Sequence, residues 1–200
     1  AILGLLKQKA TMSERYHAGG PVGYTITAML IIGLLIGLYK LITLTIVGGK
    51  MRSQLKNQGS PSEGNPLGRI LKVYQENKTA DAENLELKLD EAILRELPRI
   101  ESGINVIKIF AAIAPLLGLL GTVLGMIATF QTITLYGTGD PRMMAGGVSM
   151  ALVTTAQGII AAVPLILTHG IVASRSKSII HILDEQAAGI VAAHSESEKA

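Results

Sequence analysis

The chain contains no cysteine, so disulfides, iron–sulfur clusters and thiolate metal sites are excluded. Its four histidines are scattered without any ligand spacing, and neither a metal nor another cofactor is expected. Charge is nearly balanced: 18 Lys and Arg against 15 Asp and Glu leave +3. That excess is too slight for a nucleic-acid footprint, and no cluster of base-reading side chains accompanies it. No nucleophile–base pair, phosphate-binding loop or metal cluster appears, so the chain does not read as an enzyme. The most telling absence is local. Three long apolar runs, 22–47, 104–136 and 147–173, contain no Asp or Glu at all.

Each run exceeds the ~20 apolar residues that a helix rising ~1.5 Å per residue needs to cross ~30 Å of hydrocarbon. With 48% apolar residues and a mean hydropathy of +0.42, a 200-residue soluble fold has no core large enough to hide three such runs. The expected class is therefore all-α, an integral membrane protein with transmembrane helices at 22–47, 104–136 and 147–173. Residues 48–103 form a loop with helices, 137–146 a short hairpin and 174–200 a C-terminal helix. The chain opens on Ala1 and reads as a fragment once preceded by a signal sequence or an extracytoplasmic domain.

Within 1–21, Ile2, Leu5, Leu6, Met12 and Tyr16 mix with Lys7, Lys9 and Arg15 at roughly helical spacing. This suits either an amphipathic helix at headgroup level or a leader helix packed on the first span. Gly19, Gly20 and Pro21 are expected to break it. Lys40 lies near the end of the first span, where it either snorkels to headgroups or serves as a buried amine. Residues 59–66 are a turn-rich connector. Leu85, Leu89, Ile93, Leu97 and Ile100 form one stripe, and Ile179, Leu183, Ala187 and Ile190 another. Spans two and three should thus extend into a soluble helical collar, with Pro98 starting a turn or kinking its helix.

Basic residues set the orientation. Lys50, Arg52, Lys56, Arg95, Arg99, Lys108, Arg175 and Lys177 share one side, whereas 137–146 carries only Arg142. The collar side is then cytoplasmic, with the N-terminus periplasmic and the C-terminus cytoplasmic. Lys7, Lys9 and Arg15 oppose this assignment but are outnumbered.

The second and third spans carry the chemistry. Ala114, Gly118, Gly121 and Gly125 are spaced four, three and four, and Ala151, Thr155, Gly158 and Ala162 repeat that spacing. Gly121-x-x-x-Gly125 is the small-residue signature of close helix backbones, either between protomers or within one. Glycine in a helix costs ~1 kcal/mol relative to alanine, so tight packing must offset it. Thr122 and Thr129, seven apart, share a face, and Thr154, Thr155 and Gln157 cluster in the third span. A threonine can return its hydroxyl to the preceding turn. Gln157 cannot do so easily and should face protein or a hydrated lumen.

The segments APLLGLLGTVLG (114–125) and ALVTTAQGIIAAVP (151–164), in this order on consecutive spans, resemble the paired signature of the MotA/TolQ/ExbB proton channel family, nearest to its ExbB members. A lost N-terminal extension would resemble the long ExbB variants of accessory TonB systems. The resemblance implies a homo-oligomeric, pentameric ring in the bacterial inner membrane, lined by spans two and three. It would enclose an ExbD-like single-span partner whose transmembrane aspartate carries the proton, and would work with a TonB-like transducer in iron-siderophore uptake. It also implies that Thr122 and Thr155 face that aspartate. Thr129, Met150 and Gln157 are expected to line the same lumen. One departure stands out: most ExbB and TolQ sequences have glutamate where this chain has Met150. A thioether neither titrates nor donates a hydrogen bond. Alternatives are a TolQ-like motor for envelope integrity and a non-conducting membrane scaffold.

Overall fold

A computed structural model describes residues 11–138 and 140–200. Residues 1–10, including Ile2, Leu5, Leu6, Lys7 and Lys9 of the expected amphipathic segment, lie outside the described residues. The described residues form helices joined by short turns, with no strand among them: α1 (Met12–His17), α2 (Gly20–Lys56), α3 (Pro66–Glu76), α4 (Ala82–Glu101), α5 (Ile104–Tyr136) and α6 (Pro141–Lys199). Three of these are long and apolar enough to cross a membrane, namely α2, α5 and α6, with peak mean hydropathies of 2.3, 2.2 and 2.0. Only 22, 28 and 33% of those apolar windows are buried within the chain, which leaves most of their surface for lipid or for other chains.

Several boundaries differ from the sequence expectation. The 137–146 hairpin is shorter than drawn, because α6 already begins at Pro141, whose missing N–H and restricted φ suit a first helical turn. Asp140 Oδ1 accepts the Arg142 N–H at 3.0 Å there. At the other side of the turn Gly137 adopts φ +70° and donates its N–H to Ile133 O at 2.8 Å, a left-handed cap open to glycine without a Cβ penalty. The expected break at 19–21 narrows to the link from α1 into α2, where Gly20 has φ +60°. The third span and the C-terminal stripe belong to one 59-residue helix, α6, and Pro98 sits inside α4 without ending it.

The chain divides into two compact units. The first comprises residues up to Ile36 with Val106–Thr168, and the second comprises Gly37–Asn105 with His169–Ala200. In the first, Ile26, Ala114 and Ala161 form one small core, and Ile107, Ala111 and Leu165 another. A capping box closes α1: Glu14 N–H donates to Thr11 Oγ1 at 3.2 Å and Thr11 N–H to Glu14 Oε2 at 2.9 Å. Tyr16 then donates its hydroxyl to Thr27 Oγ1 at 2.9 Å and ties α1 to α2.

The second unit buries Met51, Leu67, Ile70, Leu85, Leu89 and Leu183 among others. Here the stripe drawn through Leu97 requires correction. Leu97 is half-buried, whereas Glu96 is buried to 6% exposure because Arg69 meets it with two hydrogen bonds, 2.6 and 2.7 Å. That hydrogen-bonded carboxylate raises the Arg69 guanidinium above its ordinary pKa. Replacing Glu96 with Ala leaves a guanidinium beside a cavity and is expected to cost about 2 kcal/mol, below the full buried-pair value because Arg69 is partly exposed. A thermal midpoint of the detergent-solubilised Glu96→Ala chain equal to wild type would show that the pair contributes nothing.

Lys40 also departs from the simpler expectation of snorkelling. It is buried at 4% exposure, and its Nζ donates to Arg99 O at 3.2 Å and Ser102 Oγ at 3.5 Å. The last carbonyls of α4 have no intrahelical donors and carry partial negative charge, so an ammonium satisfies them. The 59–66 connector is likewise ordered from inside. Gln54 donates to Asn57 O and Ser60 O (2.7 and 3.2 Å) and accepts from Ser62 N–H and Asn65 Nδ2 (2.9 and 3.3 Å).

Candidate functional site

The first unit brings α5 and α6 together along their small residues. A Cβ on Gly118 would lie 2.9 Å from Thr154 O, one on Gly125 2.5 Å from Gly147 O, and one on Gly158 2.7 Å from Ala114 O. At Gly121 a Cβ would overlap the Thr154 side chain. Ala114, Ala151 and Ala162 are buried at 0, 3 and 5% exposure. The two spaced series are therefore the two sides of one seam inside a single chain. At Gly118, Gly125 and Gly158 no side chain fits against the facing backbone, so dispersion contacts and carbonyl proximity replace what these glycines lose in helix propensity.

This close approach positions the hydroxyls. Thr122 and Thr155 hydrogen-bond each other across the seam. Thr122 Oγ1 also lies 3.1 Å from Ala151 O and 3.3 Å from Gly118 O, and Thr155 Oγ1 lies 3.0 Å from Ala151 O. Two hydroxyl protons are shared among more than two acceptors, and each oxygen keeps lone pairs. By turning its hydroxyls the pair can donate to a carboxylate or accept from a carboxylic acid. Both residues are only half-buried, so the pair is reachable.

The other threonines are used differently. Thr154 is fully buried, packs on Gly121 and donates to Met150 O at 2.7 Å. Thr129 is buried at 6% exposure, donates to Gly125 O at 2.9 Å and abuts Gly147. Neighbours on a helix differ by about 100°, so Thr154 points at the seam while Thr155 points at Thr122. Gln157, about 200° from Thr155, does not join the pair. Its Nε2 donates to Tyr16 O at 3.2 Å, and its amide packs where Gly19 and Gly23 have no Cβ. Its Oε1 is buried without a hydrogen-bond partner among the described residues. Met150 stays half-exposed.

Sequence reasoning passed over the contribution of Gly19 and Gly23 to seating Gln157. Their four-residue spacing was the available signal, hidden because Gly19 and Gly20 read as a break. It also left the three polar residues 154, 155 and 157 as one cluster, although they occupy three faces of α6.

The profile of the MotA/TolQ/ExbB proton channel family matches residues 62–185. The chain is 26% identical over 182 residues to a putative biopolymer transport protein ExbB homolog of Methanothermobacter thermautotrophicus, covering 82% of this chain and 64% of that protein. A putative ExbB-like protein of Synechocystis is 32% identical over 111 residues, 54% of this chain and 44% of its own length. The Tol-Pal system protein TolQ of Haemophilus influenzae is 30% identical over 113 residues, covering 56% and 50%. The chain thus spans less than two thirds of each of these relatives. With the family profile covering more than half of the chain, both signature segments included, and three helices able to cross a membrane, the chain belongs to the MotA/TolQ/ExbB proton channel family.

Proposed function

We propose that the chain is the ring subunit of a proton-motive-force-driven motor of the bacterial inner membrane. In this reading it energises TonB-dependent transport across an outer membrane, such as iron-siderophore uptake. A single-span, ExbD-like partner supplies the titrating aspartate, and a TonB-like transducer takes up the motion. The observation that carries this is the half-exposed Thr122–Thr155 hydroxyl pair in two spans that contain no acid of their own. A proton path needs a group that titrates, and hydroxyls do not do so near neutral pH. They can, however, solvate both protonation states of a carboxyl brought by another chain.

Charge moving through ~100 mV releases ~2.3 kcal/mol. Protonation neutralises the partner's aspartate and lowers its desolvation cost, which lets its helix pass the hydroxyl belt. Loss of the proton on the cytoplasmic side resets it. Met150, with no titrating group, leaves this cycle to the partner's carboxyl, the hydroxyls and water. The basic residues beside the spans favour a periplasmic N-terminus and a cytoplasmic C-terminus.

Reconstitution in liposomes tests the reading. The chain alone is expected to leave proton flux at background, and co-reconstitution with an aspartate-bearing single-span protein is expected to raise it. Flux through the chain alone at the same rate would overturn the borrowed-carboxyl mechanism. No flux in either case would favour a non-conducting scaffold. The likeness to TolQ supports a second reading, a motor for envelope integrity, and neighbouring genes separate the two.

A further inference from the structure

The collar-side unit carries an exposed apolar ridge on α4 and, beside it, a groove between α4 and α6. Leu87 and Leu94, seven residues apart on the outer face of α4, are 62 and 63% exposed, although this segment is otherwise charged. One flank of that ridge is acidic, and the other carries Lys88 with two Arg–Glu pairs. Glu83, Glu86 and Asp90 line a groove of about 730 Å³ between α4 and α6, joined by Asp184 of α6. Leu89, Ile93, Ala187 and Val191 make its apolar floor. On the opposite flank Lys88 stands free of any ion pair among the described residues, beside Arg95 and Arg69, which pair with Glu91 and Glu96. None of the four groove carboxylates has an ion-pair partner among the described residues.

An apolar-floored groove with an acidic rim calls for an occupant that is apolar in the middle and basic at the edge. The Leu87–Leu94 ridge with the unpaired Lys88 beside it has that chemistry, and Arg95 can join by exchanging Glu91 for a rim carboxylate. We propose that the groove of one chain receives the α4 ridge of a second copy, head to tail. Such a contact joins two different patches of the same surface and can therefore close a ring by rotation. The proposal rests on the ring reading above and names the surface that builds it. An anionic lipid surface fits less well, since the acidic rim would be repelled by it. Pairing ridge against ridge would leave the groove floor uncovered.

The cysteine-free chain permits a direct test. Full-length protein carrying Leu94→Cys and Ala188→Cys, treated with a short bis-maleimide in its membrane, is expected to give a ladder extending beyond dimers. Either cysteine alone should remain monomeric. Reversing Lys88→Glu and Arg95→Glu in the two-cysteine chain should cut linking about tenfold through like-charge contact. Adding Glu86→Lys and Asp90→Lys should restore it, which a misfolded chain would not do.

Dimers from Leu94→Cys alone would mean ridge against ridge and would overturn the proposal. So would links to a different protein in place of a second copy. Absence of a ladder while native mass spectrometry still shows the oligomer would overturn it and leave the ring standing. A monomer by native mass would remove the ring reading as well.

Discussion

Replacing Gly158 with leucine is expected to separate α5 from α6 and remove most of the folded, monodisperse protein. A Cβ at this position already sits 2.7 Å from Ala114 O and 3.1 Å from Gly118 Cα. Both neighbours are backbone, which cannot swing aside as a side-chain tip can. The helices must therefore move apart, and separation strips contacts from the whole seam, including those of Gly121 and Gly125. Ordinary overpacking costs ~1–3 kcal/mol, and displacement of two backbones should cost about 3 kcal/mol or more. Gly170→Ala is the control, because nothing lies within 4 Å of a Cβ there. That change should be neutral or slightly stabilising, since alanine is the better helix former by ~1 kcal/mol. Size-exclusion profiles and thermal midpoints in detergent measure both. A Gly158→Leu chain with the wild-type midpoint would mean that the seam does not exist in solution.

The second large effect is functional. The double variant Thr122→Val and Thr155→Val should retain its fold and lose partner-dependent proton flux by about 10- to 100-fold, the range expected when a hydrogen bond to a charged group worth ~1.5–3 kcal/mol is removed. Valine keeps the branched shape and packing of threonine but neither donates nor accepts. The two hydroxyls bond each other, so either single variant should lie between wild type and the double. Serine at both positions should restore much of the flux, because the chemistry needed is a hydroxyl. Thr129→Val provides the contrast: its hydroxyl is buried and engaged with Gly125 O at 2.9 Å, so flux should change little. Unaltered flux in the double variant would remove the hydroxyl pair from the proton path.

The paired small residues of 114–125 and 151–162 marked closely packed helix backbones but left open whether these meet within one chain or between protomers, and Thr122 and Thr155 were named from the family resemblance. The collar stripes also emerged, because apolar periodicity reports the face a helix buries. Where polar side chains were concerned, the reading was poorer. Glu96 took the place assigned to Leu97 because Arg69 from another helix was there to pair with it. Lys40 turned to the carbonyl of Arg99, 59 residues away, which no local pattern encodes. Gln157 is seated by Gly19, Gly23 and the backbone oxygen of Tyr16, more than 130 residues earlier in the chain.

Sequence by itself determined the number of spans, the helical class and the presence of a small-residue seam. These follow from apolar length, helical rise and side-chain volume, which are properties of each segment alone. Only the tertiary structure decided which face each polar side chain serves. A rotation of 100° per residue separates neighbours such as Thr154 and Thr155, and a buried donor or acceptor takes whatever partner another helix brings within reach.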